Sequence, residues 1–160
     1  MLPNKRDEVT IMVSEKTARW STWDQIVPSQ EWEDLGEFTV NGDWDSDVTA
    51  SIQDDRSWDG GDRAVVHPGI LAQKVFKELS QHFSIAQPPG QTGLHAREYL
   101  RLYGVTRQGE HLKLKGRVPL KFIKRNQKYI FVEAWLLAPD GVPRLFHRQT
   151  RICEYRPNGK

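Results

Sequence analysis

Five histidines stand at positions 67, 82, 95, 111 and 147, and two adjacent acids at Asp54 and Asp55. Near pH 7 a neutral imidazole is the natural proton acceptor, whereas a carboxylate takes that role only where burial raises its pKa. The arrangement favoured for acid/base work pairs Asp54 or Asp55 with His95. Gly93-Leu94-His95 presents that imidazole at the mouth of a strand, after a stretch rich in Pro and Gly. His67 precedes Pro68-Gly69, where a helix can begin. The first turn of a helix leaves N–H groups without intrahelical partners, and the dipole adds positive character there. Gly69 and Ile70 are therefore candidate donors to a carbonyl oxygen that gains negative charge during reaction. His67 would lie beside that oxygen. Each feature also has a structural reading: Pro68-Gly69 as a plain helix start, and His67 and His147 as a cap or a half-buried strand residue. His82 and His111 read as surface positions.

Other chemistries find less support. The scattered histidines do not form a chelating set, and the lone Cys153 excludes both an internal disulfide and a Cys-based zinc site. Its late apolar surroundings point to a buried, inert thiol. With no Gly-rich phosphate loop either, neither metal nor cofactor is expected.

The elements that must position these groups follow from patterning. The chain has 160 residues, 38% hydrophobic and 28% charged, which suits one globular domain. The formal charge of +2 hides a split: residues 1–62 hold 15 acids and 5 bases, and the remainder holds 6 acids and 18 bases. There is no apolar run of roughly 18 residues to span a membrane. The N-terminus becomes charged too early for a signal peptide, so a cytoplasmic location is expected. Residues 1–35 read as an irregular, Trp-rich arm and residues 36–160 as a single domain. GEFTV, from Gly36, looks like a short strand, followed by a short helix capped by Asn41 and then the polar loop DDRSWDGGD. The spacing of Ile70, Leu71, Val75, Leu79 and Phe83 predicts a long helix over about residues 67–83. Four β-type runs follow, with PDG as a hairpin signal between the last two. In the second run Leu112, Leu114, Gly116 and Val118 alternate with His111, Lys113, Lys115 and Arg117, and Pro119 argues for an edge or a bulge. The fold class is α+β, a curled antiparallel sheet wrapped around one central helix, the hot-dog layout.

Residues 36–157 resemble MaoC-like acyl dehydratases, relatives of the (R)-specific enoyl-CoA hydratases. The landmarks are GEFTV with IQDDRSW, VVHPGILAQ, GLHAREYLRLYGVTRQGEHLKLKGRV and FHRQTRICEYRP, in the family's order. The resemblance implies a hot-dog fold, a dimer, and addition or elimination of water on an enoyl thioester. A loop Asp and His would activate the water, and helix-start amides would hold the thioester carbonyl. This chain departs from the family's D-x-N-P-x-H loop. With Asp54 on the family's Asp, Arg56 stands for Asn, Ser57 for Pro and Asp59 for His. An acid survives at Asp54 or Asp55, and His95 or His67 would have to supply the imidazole.

The expected partner is an acyl-CoA, an acyl carrier or another small hydrophobic carbonyl substrate. Trp58 would wall the substrate, while Arg101 and Arg117, with Arg107 and Lys113, would meet a carrier's phosphates. KLKGRVPLKFIKRNQK could track a nucleic-acid backbone, but alternation of basic and apolar residues on a solvated sheet is the favoured reading. Further expectations are a recruited hot-dog isomerase, cyclase or thioesterase, and a non-catalytic subunit of a hot-dog heterodimer.

Overall fold

The computed structural model describes residues 18–40, 65–87, 89 and 91–155. Their elements run β1 (Glu33–Thr39), α1 (Pro68–His82), β2 (Thr92–Leu102), β3 (His111–Lys124), β4 (Gln127–Leu137) and β5 (Pro143–Tyr155), after a 3-10 turn at Trp23–Gln25. The sheet is antiparallel throughout, in the order β1-β3-β4-β5-β2, so the first strand and the strand after the helix lie at opposite edges. The expected helix and four long strands are all present, and β1 begins at Glu33 rather than Gly36. The alternation there is broken by a bulge between Asp34 and Gly36, where Gly36 takes φ 119°. The expected helix after Asn41 lies outside the described residues.

Helix α1 forms because its apolar residues fall on one stripe, and all five expected members are buried. Burial of each such side chain stabilises by about 1.5–3 kcal/mol. Opposite them, the inward positions of the sheet are Leu112, Leu114, Val118, Ile130, Val132, Ala134, Leu136 and Leu145. The turns match the chemistry of their residues. Arg125 and Asn126 take positive φ in the β3–β4 hairpin, and Gly141 does so in the PDG turn. Pro119 sits where β3 slips against β4, between Arg117 and Leu120.

Residues 18–32 are built into the same core. Trp20 stacks on Phe83 at 6.1 Å between ring centroids, and Ile26 is fully buried. Trp23 Nε1 donates to the Tyr129 carbonyl at 3.1 Å, which ties the arm to β4.

The tightest packing over a glycine among the described residues is at Gly116, midway along β3, where Leu35 of β1 and Phe83 just past α1 meet. A Cβ built there would stand 2.5 Å from Leu35 Cδ1 and 2.9 Å from Phe83 Cε2. Gly116→Ala is therefore expected to destabilise the fold by about 1–3 kcal/mol, through overpacking of a core that has no room to give. Urea unfolding of the two proteins measures this, and an unchanged midpoint would refute it.

Candidate functional site

The cleft around His95

Strand β2 carries His95 along the edge of the sheet, and its bulge between His95 and Arg97 sets which side chains face the helix. His95 is opposite Arg151, Glu98 opposite Gln149 and Leu100 opposite His147. The imidazole of His95 rests against Phe76 of α1, with ring centroids 5.0 Å apart. Together with Arg151, Cys153, Ser80, Leu94 and Phe83 it lines a cleft of about 270 Å³ between the last turns of α1 and the ends of β2 and β5.

Behind His95 lies a polar cluster in the concave face of the sheet. His147 and Gln149 are completely buried. His147 Nε2 approaches Glu98 Oε1 to 2.5 Å without the alignment of a hydrogen bond. Burial pushes the His147 pKa below its ordinary value, with His95 and Arg151 adding repulsion and Glu98 opposing them. The desolvation cost wins, and the imidazole is held neutral. Arg151 Nε donates to Gln149 Oε1 at 2.7 Å and Nη1 to the Phe83 carbonyl at 3.0 Å. Cys153 is buried and its thiol is pushed up to about 12, chiefly by desolvation, so it is an inert wall residue as expected.

Fate of the predicted residues

His67 caps α1. Its Nδ1 accepts the Gly69 N–H at 3.0 Å, and its carbonyl accepts the Ile70 N–H at 3.0 Å. The amides read from sequence as unpartnered donors thus each have an acceptor. Pro68 has no N–H to offer, which leaves Gly69 as the first amide the cap can satisfy. Asp54, Asp55 and Trp58 lie outside the described residues.

Arg101 and Arg117 do not reach the cleft. Both project from the convex face of the sheet, where Arg101 lies 5.0 Å over the Tyr103 ring and Arg117 lies 4.1 Å over Trp32. Arg117 and Arg148 clamp the buried carboxylate of Glu133, with Nε distances of 2.8 and 2.7 Å. Lys113 is tied to Glu37 at 2.6 Å. Much of the basic alternation is therefore ion-paired sheet surface. His111, expected at the surface, is exposed and also meets Glu37, at 2.8 Å.

Sequence reading passed over Glu98, Gln149 and Arg151. A signal was available: His147, Gln149 and Arg151 recur at period two between the apolar Leu145 and Cys153, placing polar groups on the inward face of β5. Among the described residues no group of His, Cys, Asp and Glu is placed to hold a metal, and no helix is long and apolar enough to cross a membrane.

The depressed pKa of His147 has a definite sign. The unfolded chain takes up a proton near pH 6.5, and the folded one resists it to lower pH. Stability is fully present above that range and falls on acidification, by at most about 1.4 kcal/mol per pH unit from this group. His147→Asn is expected to flatten the acid limb of a plot of Tm against pH. An unaltered limb would count against burial of His147 as its source.

Relation to known structures

No family model matches the chain, and no curated protein matches it. Among solved structures it is similar to the (R)-hydratase from A. caviae involved in PHA biosynthesis, at 12% identity and a TM-score of 0.61, covering 81% of this chain and 98% of that one. The R-hydratase PhaJ1 from Pseudomonas aeruginosa is 11% identical with a TM-score of 0.62, covering 83% and 85%. The MaoC-like dehydratase from Rhodospirillum rubrum is 14% identical with a TM-score of 0.56, covering 82% and 95%. At these identities the likeness establishes the architecture: the chain has the hot-dog fold of the MaoC-like proteins.

Proposed function

We propose that the protein is a MaoC-like hydratase or dehydratase, acting on an acyl thioester or a related carbonyl compound. The observation that supports this best is His95, carried on an edge strand into a largely apolar cleft against the helix of a hot-dog fold. In the hydration direction His95 takes a proton from water as the water oxygen bonds to the β-carbon of a conjugated double bond. Electron density moves onto the carbonyl oxygen, and the α-carbon is then protonated. Asp54 or Asp55, from the loop before α1, shares this acid/base work. Gly69 and Ile70, the oxyanion donors expected from sequence, stand at the opposite end of α1 from this cleft and already have acceptors in His67, so they are not the groups that hold a carbonyl oxygen beside His95.

The same reading includes a dimer across β2. This strand is exposed along its whole length, on both faces, and ends the sheet with one side of its backbone unpaired. Tyr99, Leu100 and Leu102 are 48%, 42% and 50% exposed, which is costly for an edge left in water. A second hot-dog chain laid against β2 would cover them and close the cleft beside His95. Sedimentation equilibrium should give twice the 18.5 kDa of one chain, and Leu102→Asp should shift the population toward monomer. A monomeric wild-type protein would exclude this assembly.

Activity is tested with crotonyl-CoA and longer enoyl-CoAs, followed by loss of the conjugated thioester absorbance. His95→Ala is expected to lower kcat/KM by about a hundredfold or more, and Asp54→Asn with Asp55→Asn comparably. Full activity in His95→Ala would sink the assignment. Inertness of the wild type, with turnover only after a second hot-dog chain is added, would make this chain a subunit rather than a stand-alone enzyme.

A further inference from the structure

Arg151 is a cation placed inside the fold with no acid paired to it among the described residues. Its hydrogen bonds go to two neutral acceptors, the Gln149 side chain and the Phe83 carbonyl, while Nη2 is enclosed and has no partner. Enclosure lowers its pKa to about 10, which still leaves it charged at neutral pH. The Phe83 carbonyl lies at the negative end of the α1 dipole and offsets part of the desolvation cost. An enclosed guanidinium with an unused N–H is expensive, because burial removes its water without supplying a full set of acceptors.

Arg151 also lines the His95 cleft, whose other walls include Phe76, Phe83, Leu94 and Ile85. A cationic end on an otherwise mainly apolar cavity matches a ligand with an anionic head and a hydrocarbon body. The cleft, at about 270 Å³, lies just below the usual range for pockets that take drug-sized ligands, so its occupant is small. We propose that it binds a small hydrophobic carboxylic acid, with the carboxylate on the Arg151 guanidinium and the chain against Phe76, Ile85 and Leu94. Carboxylate and guanidinium match in shape and charge, and the acid would meet Arg151 where it lines the cleft, since Nη2 itself is enclosed. His95, opposite Arg151 in the β2–β5 ladder, then stands beside the carbons next to the carboxyl group. The inference rests on the reading of this cleft as the ligand site, but it requires no turnover. It names a second determinant of what the site accepts, a negative charge at the Arg151 end.

The test is equilibrium binding to the full chain by isothermal titration calorimetry, with hexanoate and benzoate against hexanamide and benzamide. The acids should bind at least about tenfold more tightly than their amides, and Arg151→Gln should abolish that preference. Leu94→Trp leaves Arg151 in place and fills the cleft from the exposed edge, so it should block the acids even if Arg151→Gln fails to fold. Equal affinity for acid and amide, no binding of either, or an undiminished preference in Arg151→Gln would each overturn the proposal. So would unimpaired acid binding in Leu94→Trp. Because these titrations contain no enoyl thioester, a negative result here and an absence of hydratase turnover are separate outcomes.

Discussion

The structure depends on how closely helix α1 can settle into the curl of the sheet. The helix's C-terminal end is seated at Gly116, where Leu35 from β1 and Phe83 just past the helix meet over a backbone with no Cβ. With Phe83 seated there, Trp20 has a ring to stack on, and the arm is drawn along the helix end through the bridge between Trp20 and Ile85. The same seating turns the Phe83 carbonyl toward Arg151. One close contact between helix and sheet thus orders the arm and one wall of the cleft together. Protein interiors pack densely enough that a single added carbon at this point is transmitted to both.

The two faces of the sheet carry different electrostatics for a physical reason. On the convex face the Arg117–Glu133–Arg148 row is a neutralising arrangement, with both oxygens of a buried carboxylate taken by guanidinium groups. Aromatic rings from Trp32, Phe131 and Phe146 cover those arginines. On the concave face the arrangement is incomplete. His147, Gln149 and Arg151 all keep buried polar atoms without partners, and the one carboxylate beside them among the described residues, Glu98, belongs to the exposed edge strand. Buried polar groups are ordinarily satisfied, so this local concentration of unpartnered ones beside the cleft sets the concave face apart from the convex one.

Much of the fold was legible in the chain. The stripe of Ile70, Leu71, Val75, Leu79 and Phe83 and the alternation through Leu112, Leu114, Gly116 and Val118 each reflect a local period, and a period survives into three dimensions. The β1 boundary was less legible because the bulge before Gly36 breaks that period. The site was legible in part. His95 and His67 stood out as candidates because a Pro/Gly stretch precedes one and a Pro-Gly helix start follows the other. Arg101 and Arg117 were assigned to a ligand because charge in a sequence has no partner attached to it. Their stacking on Tyr103 and pairing with Glu133 arise between strands.

What the sequence determined by itself is what depends on neighbours within a turn or two of chain: the helix and its cap, the four long strands, the hairpin turns, and the inert character of Cys153. Tertiary structure alone decided which polar residues meet. His147, Gln149 and Arg151 share a face through the period of β5 alone, but His95 and Glu98 join them only because β2 crosses to the far edge and pairs with β5, bringing residue 95 opposite 151 and residue 98 opposite 149. It also decided that the Gly69 amide is occupied, because that depends on the rotamer of His67. Strand order and side-chain direction are properties of the packed molecule, set by which faces must be buried together, and no local pattern encodes them.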